Sequence, residues 1–535
     1  MTDYVIVGAG SAGCVLANRL SADPSISVVL LEAGGRDRNP FIHMPAGYRQ
    51  LMISGAVDWG YQTVPQKHCY GRSFHWPRGK VLGGSSSVNG MVYIRGHASD
   101  YDGWAQMGNR GWSYSDVLPY FKRAESWELG EDEFHGGSGP LHTTRVHEFH
   151  PLARAWLEAG VQAGYPRNPD VNASSQEGFG PLDSTIKNGR RASTAYCYLK
   201  PALARPNLKV ITRALASRVI IEGGRAVGVE YVRNGRTEVV RADAEVILAG
   251  GAINSPQLLQ LSGVGDGDHL RSVGIRAVHE LPGVGQNLSD HVATEIQQQC
   301  TQPISLLREL KPLNVAKSLV RYALTRGGPV AHPGIQAVGF VKSRPELVAP
   351  DIQYHFIMIM YGEHGRKLHE LHGYQPLINV QRPESVGTVL IRSSDPTRHP
   401  EIDPNYLASE EDVRVLRDGI KICRDVLGQK AFDSYRGAEI SPGRDVRTDA
   451  QIDDYVRHSA HTQYHPVGTC KMGVDSKAVV DTNLKVHGLA GLRVIDASIM
   501  PKMVSANTNA ATIMIAEKGA DMILRQGTDY AESVA

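Results

Sequence analysis

What the chain lacks narrows its function first. It has only six cysteines in 535 residues, Cys14, Cys69, Cys197, Cys300, Cys423 and Cys470, with no C-x-x-C pair. That scatter argues against a disulfide framework or a cysteine zinc site and leaves reduced, buried thiols in a reducing compartment. Excess charge of one sign is missing too: 57 basic side chains face 55 acidic ones, a formal net charge of +2. Net charge therefore gives no case for a nucleic-acid partner or for an acidic membrane. Long apolar runs are also absent. The first, residues 4–17, is broken by Gly8, Gly10 and Gly13 and has no cationic region before it. It is neither a signal peptide nor a membrane span, and no later run reaches spanning length. The expected location is cytoplasmic, with peripheral contact at the inner membrane left open.

What is present reads as an ordinary globular composition, 41% hydrophobic and 21% charged, with 56 glycines and 29 prolines. The glycine content is slightly high, which suits tight turns and close approach of backbone to a ligand. The length corresponds to roughly three to four average domains, although large α/β units absorb more chain.

The N-terminus carries the first chemical signal. A β-branched run at Tyr4–Val7 leads directly into Gly8-Ala9-Gly10-Ser11-Ala12-Gly13, then a helix-like stretch, residues 14–20, and a second buried run, residues 26–31, ending in Glu32. Gly8 permits the tight turn, Gly10 lets backbone approach a pyrophosphate, and Gly13 lets helix pack on strand. The helix N-terminus offers free N–H groups to phosphate oxygens. Glu32 can accept hydrogen bonds from an adenosine ribose and disfavours a 2′-phosphate. This unit predicts an adenine dinucleotide but leaves FAD and NAD open.

A second glycine- and serine-rich stretch spans residues 78–90 and runs into apolar residues 91–94, a pattern suited to wrapping a flat ligand. Strand-like runs follow at Leu208–Thr212 and residues 218–222, with a hairpin signal at Asn234-Gly235. Residues 245–249 read as a buried strand that turns at Gly250-Gly251 into a helix over 255–262. Apolar and polar residues alternate at 336–341, 351–360, 377–381 and 387–391, which predicts an antiparallel sheet with one covered face. Helical periodicity returns at 410–427, and a strand at 492–495 ends on Asp496 before a long helix over 510–523. The simplest architecture is a nucleotide domain built from separated segments, with a sheet-based cap inserted late.

Several longer motifs stand in a fixed order: GKVLGGSSSVNGMVYIRGHASDYD at 79–102, HGGSGPL at 135–141, GAINSPQLLQLSGVG at 251–265, LPGVGQNLSDH at 281–291, YHPVGTCKMG at 464–473 and RVIDASIMPKMVSANTNAATIMIA at 493–516. With GAGSAG and Glu32, they make the chain resemble the glucose–methanol–choline (GMC) oxidoreductase family, in its bacterial alcohol, sorbose and choline dehydrogenase-like branch. The resemblance covers nearly the full length.

The resemblance implies an α/β fold, α+β overall: an FAD-binding Rossmann-like domain with an inserted antiparallel-sheet substrate-binding domain. Residues 1–300 would be mostly FAD-binding, 301–455 mostly cap, and 456–535 a return to the FAD domain carrying the catalytic residues. It implies FAD as cofactor, held by Gly8, Gly10, Ser11, Ala12, Gly13, Glu32 and Ala33. A second contact stretch would be Arg78, Leu82, Gly83, Ser85, Asn89, Gly90, Met91 and Val92. Val219, Ala249, Gly250, Asp496 and Ala497 would complete it, with Asp496 near the ribityl or pyrophosphate. Some choline-oxidising relatives attach FAD through a histidine in the second loop. Val88 stands there, so FAD is expected to be non-covalent.

The same resemblance makes His465 the base that takes the alcohol proton while hydride passes to flavin N5, and Asn509 its partner. The residue types suit these roles, since a neutral imidazole titrates near operating pH and an amide stabilises oxygen charge. His291 is read as part of a turn and given no chemistry. His355, His364, His369 and His372 lack a metal-ligand spacing and read as a solvated or substrate-lining segment; no metal is expected. A neutral, primary alcohol oxidised to the aldehyde is the expected substrate. Choline is disfavoured, because residues 300–375 contain no Trp and few other rings to hold a cation. A quinone, a soluble carrier or O2 would accept the electrons, with a dehydrogenase favoured. An oxidase, a choline-type dehydrogenase, an FAD-containing lyase of the same fold and a non-catalytic flavoprotein are the competing readings.

Overall fold

The computed structural model describes residues 2–146, 148–362 and 367–534, with side chains described as far as residue 525. Its nucleotide half is a five-stranded sheet in the order Leu208–Thr212, Val28–Glu32, Tyr4–Val7, Glu245–Leu248 and Leu492–Val494. Every neighbouring pair is parallel. Strands covered on both faces read as continuous apolar runs, and Val28–Glu32 is buried at every position.

The helix Ser11–Leu20 follows the first strand and packs against the C-terminal helix Thr508–Val534. The glycines of the first loop do what their spacing predicts. Gly8 has φ +100°, and a Cβ there would meet the Ala249 carbonyl oxygen at 2.6 Å; one on Gly13 would lie 1.8 Å from the Gly8 oxygen. A three-stranded antiparallel meander, residues 215–241, turns at Asn234 and Gly235, both with positive φ.

The second half is an eight-stranded antiparallel sheet. Its main path runs Arg436–Ser441, Gln297–Cys300, Gly373–Val380, Ile352–Ile357, Ile335–Val341 and Gly178–Pro181, with Val292–Glu295 joining Gly373–Val380 to His461–Thr462. This sheet reaches beyond the expected limits of 301–455, drawing strands from residues 178–181, 292–300 and 461–462. Edge strands as short as Gly178–Pro181 carry glycine and proline and leave no alternation to read. Residues 387–391, expected in this sheet, pair instead with Glu401–Asp403 as a separate hairpin. The helix Glu410–Gly428 covers one face, and Gly419 lets it approach so closely that a Cβ would meet Ile378 at 2.5 Å. All six cysteines are buried and free. No helix among the described residues is long and apolar enough to cross a membrane.

Candidate active site

The two halves enclose a cavity of about 740 Å³ at the carboxyl ends of the parallel strands, the position at which open α/β sheets bind ligands. Of the residues expected to hold the cofactor, Gly8, Gly10, Ser11, Ala12, Glu32, Ala33, Arg78, Ser85, Asn89, Gly90, Met91, Val92, Ala249, Gly250, Asp496 and Ala497 line it. Gly13, Leu82, Gly83 and Val219 do not. The Gly83 N–H donates to the Ala9 oxygen at 2.7 Å and the Leu82 N–H to the Gly35 oxygen at 3.0 Å, so both stitch loops together behind the wall. The Val219 N–H donates to Ser262 Oγ at 2.8 Å, and Ala214, Leu215 and Ala216 face the cavity instead.

The cradle has the features a dinucleotide needs. The helix Ser11–Leu20 begins at Gly10 with no side-chain cap and no acidic residue in its first turn, leaving its N–H groups for an anion. Gly84 of the second loop packs on Gly10 of the first, where a Cβ would come within 2.7 Å. Gly90 has no protein atom within 4 Å of a hypothetical Cβ, so its missing side chain leaves open space along the cavity wall. Glu32 accepts from the Ala9 and Gly34 N–H groups at 2.9 and 2.7 Å, fixing the glycine loop. Burial pushes its carboxyl up to about 7 against those two bonds. Asp496 accepts from Ser255 Oγ at 2.6 Å and from the Gly251 and Ser498 N–H groups at 2.8 Å. It therefore fastens the final strand to the N-terminus of the helix Gly251–Leu261.

The proposed base lies at the other end of the cavity. The His465 backbone N–H donates to Asp290 Oδ1 at 2.6 Å, while its ring meets His291 Nδ1 at 2.9 Å and Asn507 Nδ2 at 3.0 Å. These contacts specify a tautomer. His291 Nε2 lies 3.2 Å from the Gln381 carbonyl oxygen, which can only accept. His291 Nδ1 then has a lone pair, which accepts a hydrogen bond from His465 Nδ1–H, and His465 Nε2 is left as an acceptor facing the Asn507 amide. Burial, with the neighbouring His291, His355 and Arg78, holds His465 well below the ordinary imidazole value. Burial also brings His291 down to about 4, opposed by the Gln381 carbonyl.

His291, given no role from sequence, is thus the second ring of the site. No local signal marks it, because its partner lies 174 residues away. Asn509 does not reach His465. It sits in the first turn of the C-terminal helix and accepts from Ser11 Oγ at 2.7 Å. Asn507, one residue before that helix, occupies the expected place of the partner. Of the four histidines taken together, His355 is buried and lines the cavity, and burial lowers it to about 4. His372 Nδ1 meets Ser305 Oγ at 2.8 Å away from the site, and His364 lies outside the described residues. Among the described residues, no cluster of His, Cys, Asp and Glu could hold a metal. Asn507 Oδ1 and His355 Nε2 are buried without hydrogen-bond partners, so a polar ligand atom would be accommodated beside His465.

A parallel-sheet dinucleotide cradle that opens onto a histidine under an antiparallel cap is the arrangement of a dinucleotide-dependent oxidoreductase. Family models described as GMC oxidoreductase match residues 2–293 and 383–516, and the chain belongs to that family. It is 49% identical over 529 residues to the mitochondrial choline dehydrogenase of Mus musculus, covering 97% of this chain and 89% of that one. It is also 49% identical over 540 residues to the oxygen-dependent choline dehydrogenase of Serratia proteamaculans, covering 100% and 97%. Among solved structures, pyridoxine 4-oxidase from Mesorbium loti is similar at TM-score 0.90 and 33% identity, with 97% of this chain and 99% of that one covered. Formate oxidase from Aspergillus oryzae is similar at TM-score 0.92 and 26% identity, covering 99% of each chain.

Proposed function

We propose that the chain oxidises a neutral primary alcohol to the aldehyde with non-covalent FAD, as a dehydrogenase passing electrons to a quinone or soluble carrier. The observation that carries this reading is the His465 ring, held neutral and anchored through Nδ1 so that Nε2 is the acceptor at the cavity. A substrate hydroxyl displacing the Asn507 amide donates its proton to that nitrogen. Asn507 then donates to the substrate oxygen as charge develops, and His355, whose ring neighbours the Asn507 side chain, can supply a second donor. FAD, when bound, supplies the acceptor for the hydride leaving the alcohol carbon. Val88 lines the cavity with no nucleophile to offer, in keeping with flavin that acid precipitation releases.

Choline is the second reading, favoured by the relatives' names. Trp59, Tyr361 and Glu295, with Tyr48 and Tyr464, are the cavity-wall groups that could hold a quaternary ammonium. The first three already have a cationic or protonatable partner. Lys80 Nζ lies 4.3 Å above the Trp59 ring, the Arg49 guanidinium 5.0 Å above Tyr361, and His461 Nε2 2.8 Å from Glu295. Arg49 and Arg72 line the cavity as well. That balance favours an uncharged substrate.

Anaerobic mixing of the holoenzyme with a panel of neutral primary alcohols and choline, followed by flavin absorbance, tests the proposal. Bleaching by a neutral alcohol at least about tenfold more efficiently than by choline is expected, with His465→Ala slowing it by about 10²–10⁴-fold and retaining FAD. Preference for choline would overturn the substrate class. Turnover without any bleaching would point to the lyase reading, and an undiminished rate in His465→Ala would remove the base.

A further inference from the structure

The chain's overall charge is nearly balanced, yet one segment is not. Between residues 308 and 326 stand Arg308, Lys311, Lys317, Arg321 and Arg326 against the single acid Glu309. None of the five cations forms a salt bridge among the described residues. Arg308, Lys311 and Arg326 flank the helix Pro312–Thr325 and Lys317 and Arg321 lie within it; its 14 residues expose nearly every side chain, and only Tyr322 is buried. At 1.5 Å per residue the helix is about 21 Å long.

Its three most exposed apolar side chains fall on one stripe. Leu313, Val320 and Leu324 are 67%, 60% and 80% exposed, and their spacing of seven and then four residues keeps them on one face. Val315 and Leu319 extend this face toward Tyr322, and Lys317 and Arg321 border its other edge. Three large aliphatic side chains in one row, this far exposed, have no role in the fold of an isolated chain. The helix is tied to the body through Tyr322, whose hydroxyl reaches the His43 carbonyl at 3.5 Å, and through the turn Pro329–Ala331, which packs on Pro45–Gly47. The segment beneath it, residues 40–54, turns Phe41 and Ile53 outward and presents Tyr48, Arg49 and Met52 to the cavity.

We propose that the helix Pro312–Thr325 docks the enzyme on an anionic lipid bilayer. It lies in the plane of the interface, with Leu313, Val320 and Leu324 among the acyl chains and Lys317 and Arg321 at the headgroups. An apolar stripe beside cations whose aliphatic stems can bend toward phosphate is the pattern of an interfacial helix. Charge decides against a second copy of the chain as the occupant. Two such faces brought together would oppose five cations to five with one acid on each side. Docked in this way, the helix lies between the bilayer and the cavity wall formed by residues 40–54. The docking itself does not depend on which alcohol is oxidised.

Sedimentation of the holoenzyme with vesicles tests it, comparing phosphatidylcholine alone with phosphatidylcholine containing phosphatidylglycerol. Sedimentation with the anionic vesicles only, weakened in about 0.5 M salt, is expected. The variant carrying Leu313→Ser, Val320→Ser and Leu324→Ser should bind at least about tenfold more weakly. Lys317→Gln with Arg321→Gln should lose several-fold and much of the salt dependence. Both variants lie outside the catalytic machinery, so their flavin spectra and dye-linked rates should match the parent. Failure of the parent to bind anionic vesicles, or equal binding by the triple variant, would overturn the proposal. So would a dimer in light scattering that the triple variant abolishes while the parent ignores vesicles.

Discussion

Two buried histidine clusters in this chain are tuned in opposite directions, and the difference lies in what touches the ring nitrogens. His135 Nδ1 meets Glu125 at 2.9 Å and its Nε2 meets Asp170 at 2.8 Å, with Trp127 stacked on the ring at 3.8 Å. Burial works against a charge there, but the bonds to Asp170 and Glu125 outweigh it and lift the imidazole to about 9. His465 is only partly covered at the cavity wall, and no carboxylate reaches its ring. Its nearby acid, Asp290, accepts from the backbone N–H instead. Both histidines belong to family-like motifs, HGGSGPL and YHPVGTC. Motif membership alone does not separate a histidine raised by two carboxylates from one held low by burial; the placement of the carboxylates does.

The comparison is broken most forcefully at His135. Its folded value of about 9 lies above the unfolded value near 6.5, so folding takes up a proton. The stabilisation is complete below pH 6.5 and is lost as pH rises through 9, and it amounts to about 3 kcal/mol. His135→Gln should lower the urea midpoint at pH 6.5 and remove the decline between pH 6.5 and 9.5 that the parent shows. A variant that kept the parent's slope would mean that another group carries it. His291, brought down to about 4, acts with the opposite sign: its contribution is present above 6.5 and fades as pH falls toward 4.

The sequence made the parallel-sheet half readable because each element there has a local reason. Gly8, Gly13 and the apolar strands are required by turn geometry and by burial on both faces, and the structure uses each as the spacing predicts. The cap was legible only where strands alternate over several residues, as in Gly373–Val380. Gly178–Pro181 carries no such pattern and joins the sheet by pairing with Ile335–Val341. In the site, His465 was visible through its motif, whereas His291 was hidden by one that reads as a turn. Gly83 and Val219 show a further limit. They stand in the right segments, but side-chain direction and backbone bonding place them behind the wall.

The asparagines sharpen the contrast between a residue that serves the base and one that serves the cradle. Thr508 separates them, and the helix begins there, so Asn507 keeps a loop conformation while Asn509 turns toward the glycine loop. Asn507→Ala removes the donor aimed at His465 Nε2 and should lower kcat by about 10²-fold, with FAD content unchanged. Asn509→Ala breaks the bond from Ser11 Oγ and should weaken FAD retention while changing kcat only a few-fold in flavin-saturated enzyme. The reverse pattern would return Asn509 to the role inferred from the motif.

His291 positions the base without touching the substrate, and its loss is expected to cost kcat no more than the loss of Asn507. His291→Phe deletes the lone pair that receives the His465 Nδ1 proton. With that nitrogen unsatisfied, the ring loses its reason to keep the proton there, and the tautomer with Nε2 protonated becomes competitive. Such a ring can no longer accept from the alcohol. The expected loss is about 10- to 100-fold in kcat with KM little changed, the range seen when an orienting partner of a functional histidine is removed. His291→Asn keeps an acceptor oxygen and should recover part of the rate, which a merely structural cavity would not allow. Equal rates in the two variants, or a loss confined to KM, would show that His291 does not set the tautomer of His465.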